Sequence, residues 1–219
     1  MIHASRMTSR LAVALPLLAL LTAGCERAAR YTQLAGTQRP TMAQAQPTIA
    51  ADFNARVQNG TPLMVANVME RNAVTTFALV SERGEDRIWR TLDNITMSTR
   101  GGLMTGTRGL AGDLMSADVA ESQALILAGQ PGLAVRIHRY MDGQNGIEID
   151  SYVCEIGPRG TEDLTFENVP IRASVFAETC TNPGNGFENF YWVSGGRVVQ
   201  SLQWVGPEVG AISMRGVIR

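Results

Sequence analysis

The stretch Ile95-Thr96-Met97-Ser98-Thr99, followed after one residue by Gly101-Gly102, carries the clue to the architecture. Larger apolar side chains alternate with hydroxyl side chains at period two, so one side of the segment faces a core and the other faces solvent. The glycine pair suits a two-residue primed hairpin turn, whose central residues take positive φ. The same grammar extends in both directions. From Leu63 onward, short runs rich in Val, Ile, Thr and aromatics are separated by Gly and Asn clusters, which predicts strands near 62–70, 73–81, 87–91, 94–99 and 102–107, with Gly84 at a tight connection. Between Gly109 and Ala128 the pattern changes: Leu114, Met115, Val119, Leu125 and Ile126 recur at helical spacing and predict one or two short helices. Strands resume at 133–141 and 146–156 around the loop Asp142-Gly-Gln-Asn-Gly146, then at 163–168, 171–180, 187–194, 197–205 and 211–218, with a second hairpin turn at Ser194-Gly195-Gly196. The expected fold is mainly β: an antiparallel β-sandwich or open barrel of about ten strands with one or two short helices.

The N-terminus reads differently. Arg6 and Arg10 precede an uncharged apolar run, Leu11 to Leu21, in the layout of an export signal. That run is about half of what is needed to cross roughly 30 Å of hydrocarbon, so it is not read as a permanent span. It ends in Leu21-Thr22-Ala23-Gly24-Cys25, which resembles a lipobox: small residues enter the peptidase groove, and the Cys25 thiol receives diacylglycerol, with palmitate expected as a further acyl group on the same residue. Thr22 stands where Leu is usual, and the competing reading is a plain secreted protein with Cys25 left as a thiol. Several acyl chains on one residue anchor a protein essentially permanently. Residue 26 is Glu and not Asp, which favours sorting to the outer membrane, with the body on its periplasmic face. The expected organisation is therefore 1–24 signal peptide, 25–50 lipidated N-terminus and tether, and 51–219 β-rich domain. A flexible tether of about 25 residues has a typical span of roughly 30 Å.

Composition excludes several classes of chemistry. The chain has no lysine, and its only histidine after the signal is His138. A Walker P-loop, a Schiff-base enzyme and a multi-histidine zinc site are thereby ruled out. Without Arg6 and Arg10, 17 of the 19 arginines remain against 20 acids, a balance near −3, so nucleic acid is not an expected partner. No cofactor and no metal site are expected. Cys154 and Cys180 remain after the anchor, and two cysteines in one exported domain more often pair than stay free. Closing that loop would contribute about 3.5 kcal/mol in the chain-entropy model. The alternatives are two separately buried thiols or a catalytic cysteine, for which His138 would be the sole imidazole partner.

Three further stretches belong together by their order and spacing. The first comprises Arg87-Ile-Trp89-Arg90, Asp93-Asn-Ile-Thr-Met97, Gly101-Gly-Leu103 and Thr107-Arg108-Gly109-Leu110-Ala-Gly-Asp113-Leu114. The second is Phe187-Glu-Asn-Phe190-Tyr191-Trp192-Val193 with Gly196-Arg197-Val-Val, and the third Ser201-Leu-Gln203-Trp204-Val-Gly206-Pro207. In that order they resemble one family, the group 4 capsule polysaccharide lipoproteins of the YjbF/GfcB type, and the resemblance implies an outer-membrane lipoprotein that serves exopolysaccharide or capsule export beside a soluble periplasmic protein and an outer-membrane β-barrel. It implies no catalytic residues.

Candidate contacts follow from side-chain chemistry. Trp89, Tyr191, Trp192 and Trp204 offer ring faces suited to pyranoses, and core packing is the competing explanation. Tyr191 and Trp192 are adjacent in a strand and point to opposite sides. Arg108 is a candidate for an acidic group or a carboxylate, and Asp113 for capping the start of the following helix. Glu148, Asp150, Glu155, Glu162 and Asp163 are the candidates for a glycosidase pair, with the solvent face of a hairpin as the plain alternative. Ile147-Glu148-Ile149-Asp150 alternates, so its two acids point the same way. The functional expectation is a non-enzymatic accessory of polysaccharide assembly or export, with the polysaccharide itself as a candidate contact. A periplasmic carbohydrate-active enzyme and a general envelope-assembly lipoprotein are the alternatives.

Overall fold

The computed structural model describes residues 51–144, 146–166 and 169–217. The export signal, Cys25 and the 26–50 tether lie outside the described residues.

Twelve antiparallel strands form a single sheet: β1 Leu63–Val68, β2 Ala73–Arg83, β3 Asp86–Arg90, β4 Thr96–Arg100, β5 Leu103–Arg108, β6 Leu114–Asp118, β7 Gly132–Met141, β8 Ile147–Phe166, β9 Val169–Thr181, β10 Gly186–Ser194, β11 Arg197–Gly206 and β12 Gly210–Val217. Their order is β5-β4-β3-β2-β1-β12-β11-β10-β9-β8-β7-β6. Every sequential pair except β5–β6 is a hydrogen-bonded neighbour, and β12 returns to pair with β1. The sheet therefore curls into a nearly closed barrel whose seam runs between β5 and β6. The two glycine turns supply what tight hairpins need: Gly101 and Gly102 take φ of 57° and 92°, and Gly195 and Gly196 take 58° and 72°.

The seam is held by side chains instead of a backbone ladder. Leu114 N–H donates to Thr107 Oγ1 at 3.0 Å, and Thr107 Oγ1–H donates to Asp113 Oδ1 at 2.9 Å. The Arg108 guanidinium donates to the carbonyls of Leu114 at 3.2 Å and Met115 at 3.0 Å. Gly106 permits this approach, because a Cβ there would lie 3.4 Å from both of those carbonyl oxygens.

Three elements depart from the sequence reading. The segment Leu114–Asp118 is strand β6, paired with β7 through a bulge at Leu114/Ser116, and not the start of a helix. Pairing with β7 overrides an apolar spacing that local pattern reads as helical. The helix is confined to Ala120–Ala128 (α2, after α1 over 51–58) and closes on Gly129, whose φ is 68°. The two predicted strands at 146–156 and 163–168 are one strand of 20 residues, β8. Gly157-Pro158-Arg159-Gly160 looks like a turn in sequence, yet its irregularity is absorbed as a bulge between Pro158 and Gly160, a position where a strand tolerates proline. Finally, α1 arises where a tether was expected to end. Its Arg56 pairs with Asp52 at 2.9 Å and donates to the Leu79 carbonyl at 3.2 Å, while Asp52 also pairs with Arg90, which ties the helix to β2 and β3.

The interior is filled. One apolar cluster joins Phe77, Trp89, Met97, Met104, Leu114 and Ile212, and a second joins Leu103, Ile126, Ile156, Phe176 and Tyr191. Helix α2 contributes Ile126 to the second cluster and packs on β7, β8 and β10. A Cβ at Gly132, at the start of β7, would meet Leu125 of α2, whereas Tyr140 and Met141 at the other end of β7 border an open cleft. The helix and the cleft thus occupy opposite ends of the strand. Among the described residues no helix is long and apolar enough to cross a membrane.

Candidate functional site

Strand β7 turns Ala134, Arg136 and His138 inward, the last two fully buried. Such a sequence of polar residues on a core face is costly unless every group is paired. Here the pairing is dense. Arg136 Nη1 donates to Glu178 Oε2 at 2.9 Å, and Tyr191 Oη–H and Asn189 Nδ2 each donate to the same oxygen at 2.7 Å. Asn189 in turn accepts from Trp204 N–H at 2.7 Å. Gln203 accepts from Met104 N–H at 2.8 Å and donates to the Gly102 carbonyl and Ser201 Oγ, both at 2.9 Å. Tyr191 Oη also lies 3.5 Å from Gln203 Oε1, so side chains from β7, β9, β10 and β11 are bonded to one another and to the backbone of β5 within the buried interior.

Charge in that interior is held in place by compensation. Burial opposes ionisation of Glu178, but the Arg136 charge and the hydrogen bonds from Asn189 and Tyr191 outweigh it and keep the carboxyl below its ordinary range. Burial likewise disfavours the Arg136 cation, and Glu178 together with Tyr191 more than restores it. Burial and then the Arg136 charge pull His138 down to about 3, against the attraction of Glu178, so the imidazole is neutral. Cys154, Glu178 and Cys180 place donor atoms within 4.8 Å of one another, but the cysteines face each other across β8 and β9 as a disulfide with S–S 2.04 Å, which consumes both thiolates.

Above this network the barrel opens into a cleft of about 830 Å³. An aromatic layer separates the two. His138 stacks on Phe187 with centroids 5.3 Å apart and planes 14° from parallel, and Phe187 stacks on Trp204 at 6.2 Å and 13°. Tyr152 meets both His138 and Phe187 edge-on, at 5.4 and 4.9 Å. Tyr140, Tyr152 and Trp204 line the cleft, and Asp113, Glu148, Asp150 and Glu208 supply its carboxylates. Burial, with the nearby charge of Asp150 next, pushes the Tyr152 hydroxyl up to about 12, and Tyr140 rises for the same leading reason. Both phenols are therefore neutral donors at physiological pH.

The structure sorts the sequence candidates by location. Arg108 and Trp204 come together at the cleft, joined by Asp113. Asp113 does not cap a helix: it accepts from the N–H groups of Gly109 and Leu110 at 2.8 and 3.0 Å and fixes the loop that leads into β6. Trp89 is buried in the main core with its Nε1–H on Thr99 Oγ1 at 3.0 Å. Trp192 packs beside Leu164 and Phe166 and donates to Glu162 at 2.8 Å. Tyr191 is wholly buried with its hydroxyl on Glu178. Asp163 pairs with Arg172 at 3.2 Å, and Glu155 is exposed opposite Leu133.

Glu148 and Asp150 line the cleft instead of the outer surface of their hairpin. They share parity with Tyr152, Cys154 and Ile156, which are buried, so the whole even-numbered set turns inward. Ile147 and Ile149 consequently lie outside, 63% and 58% exposed. Tyr140, Phe187 and Glu208 were not singled out in the sequence. The signal that would have found the first is the alternation Arg136-His138-Tyr140, polar side chains two apart that continue the parity of buried Ala134.

Comparison with known proteins places this geometry in context. The sequence profile of the family described as "Group 4 capsule polysaccharide lipoprotein gfcB, YjbF" matches residues 39–217. The crystal structure of the hypothetical lipoprotein YmcC from Escherichia coli (K12) has a similar fold, with a TM-score of 0.66 and 20% identity over 84% of this chain and 98% of that one. No curated protein sequence matches the chain.

Proposed function

Since the chain belongs to the family of group 4 capsule polysaccharide lipoproteins, we propose that it is a lipid-anchored, non-enzymatic accessory of exopolysaccharide or capsule assembly or export, held on the periplasmic face of the outer membrane by acylated Cys25. The observation that carries the accessory role is the filled interior. Arg136, Tyr191, Met97, Leu103 and Met104 are among the largest fully buried side chains, so among the described residues the barrel interior is packed and leaves no conduit for a polymer. Its working surfaces are the mouth cleft and the outer wall. An outer-membrane export barrel and a soluble periplasmic export protein are the partners that this reading expects.

Deletion of the protein should lower extracellular polysaccharide, and crosslinking in whole cells should recover the export barrel. Cys25→Ala should abolish function while the domain still folds and is exported, because location at the membrane sets where it acts. Recovery of unrelated envelope machinery alone, or full activity of the soluble variant, would overturn this assignment.

One observation favours a second reading as a carbohydrate-active enzyme. Glu148 and Asp150 lie two residues apart on one face of β8, a backbone spacing of about 7 Å, and both carboxylate residues line the same cleft, as a glycosidase pair requires. Release of reducing ends from the polymer by the purified protein, lost in Glu148→Gln, would establish hydrolysis in place of the accessory role.

A further inference from the structure

We propose that the mouth cleft is a saccharide-binding site that takes an uncharged or amine-bearing glycan segment and rejects an acidic one, with Trp204 as its stacking platform. This rests on the polysaccharide role above and deepens it by assigning the place of contact and the chemistry of the sugar.

The platform is preorganised. Trp204 is the outermost ring of a near-parallel column, His138–Phe187–Trp204, whose base is wholly buried. Phe187 covers one face of the indole, and the half-buried ring borders the cleft on its remaining side. A ring clamped in this way loses little conformational freedom when a sugar stacks on it, which is the condition for useful affinity from a single aromatic contact. Tyr140 Oη–H is committed to the Val205 carbonyl at 2.7 Å, which fixes the adjoining wall.

The charge of the cleft decides the kind of sugar. Its only cationic lining residue among the described residues, Arg108, commits three of its N–H groups to carbonyls, that of Thr107 beside it and those of Leu114 and Met115 across the barrel seam. Two N–H donors and a single positive charge remain there, set against the four carboxylates of Asp113, Glu148, Asp150 and Glu208 that line the same cleft. Asp113 is saturated by Thr107, Gly109 and Leu110. The carboxylates of Glu148 and Glu208, in contrast, have no hydrogen-bond or ion-pair partner among the described residues, and that of Asp150 accepts a single 3.2 Å bond from Tyr152. Hydroxyl and ammonium groups are donors that these carboxylates can receive. An anionic sugar would face like charge at close range in a partly enclosed site.

The test uses the full-length protein in detergent, titrated with hexasaccharides of N-acetylglucosamine, glucosamine and galacturonate and followed by tryptophan fluorescence and calorimetry. The neutral and amine-bearing probes should bind and the galacturonate should not. Trp204→Ala should weaken both by about tenfold, the upper range for one aromatic contact. Glu148→Gln with Glu208→Gln should erase the advantage of glucosamine over N-acetylglucosamine while leaving the fold unchanged by circular dichroism. If Trp204→Ala fails to fold, Trp204→Tyr, which keeps a ring, and the glutamine pair carry the test. Binding of galacturonate as tight as the others, unaltered selectivity in the glutamine pair, or no binding of any probe at millimolar concentration would overturn the proposal. Normal polysaccharide output from cells carrying the glutamine pair, where deletion abolishes it, would remove the cleft and leave the accessory role standing. Saccharide binding by the purified protein with normal output from the deletion strain would do the reverse.

Discussion

The Nε–H of Arg136 donates to Nε2 of His138 across 2.9 Å inside the barrel. A guanidinium has donors and no acceptor, so Nε2 must present its lone pair and the ring proton must sit on Nδ1. Nδ1–H then donates to Tyr140 Oη at 3.0 Å, and that hydroxyl passes its own proton to the Val205 carbonyl at 2.7 Å. A one-directional chain of donors thus runs along the inner face of β7, from the buried ion pair to the edge of the cleft.

The chain makes stability depend on pH. His138 is held down to about 3 in the folded protein by burial and by Arg136, below its ordinary value near 6.5. Between those values the unfolded chain binds a proton that the folded one refuses, so the stabilisation is complete above pH 6.5 and declines as pH falls toward 3. Urea unfolding should give a stability about 2 kcal/mol lower at pH 5 than at pH 7.5, from this residue alone. Glu178, also held below its ordinary range, adds a loss of the same sign at lower pH. His138→Gln should flatten the profile between pH 6.5 and 5. A slope unaffected by that substitution would mean that the ring is not kept neutral.

The Arg136–Glu178 pair should behave asymmetrically. Removing one partner strands a charge that is wholly buried, and such losses run at about 3–5 kcal/mol. Glu178→Gln is therefore expected to lower the unfolding midpoint sharply in chemical denaturation. Arg136→Met combined with Glu178→Leu should recover most of that loss, because no charge is left without a partner. A double variant as unstable as the sum of its parts would point to packing as the main cause.

At the seam, Thr107→Val preserves shape and removes one hydroxyl that both donates to Asp113 and accepts from Leu114 N–H. The expected cost is about 1–3 kcal/mol, the range for a buried group left unmet. Hydrogen exchange gives the sharper readout: the Leu114 amide should exchange faster while amides in the β8–β9 ladder keep their relative protection.

Replacing Cys154 and Cys180 with serine opens a connection between residues 26 apart in sequence. The chain-entropy model gives a loss of about 3.5 kcal/mol, most of it through a less restricted unfolded state. The same loss should appear when the wild-type protein is unfolded under reducing conditions, and the serine variant should be indifferent to reductant.

Much of the architecture was legible in local pattern. The alternation at Ile95–Thr99, the glycine pairs at 101–102 and 195–196 and the regular spacing of apolar runs depend on interactions within a few residues, and they led to an antiparallel β fold. Where neighbours remote in sequence intervene, local pattern misled. Leu114–Asp118 is a strand because β7 is there to pair with it, and Gly157-Pro158-Arg159-Gly160 does not end β8 because β9 holds both sides of the bulge.

For the cleft, periodicity established that Glu148 and Asp150 share one face of a strand, because side chains alternate with period two in any register. It could not say which face. Only packing decided that the acids turn inward with Tyr152 and Cys154 while Ile147 and Ile149 look outward, since β7 and β9, and the rings that they bring to Tyr152, exist beside this strand only in the folded barrel. The same holds for Arg136 and Glu178: they are 42 residues apart and become partners when the sheet closes around them and expels the water that would otherwise separate their charges.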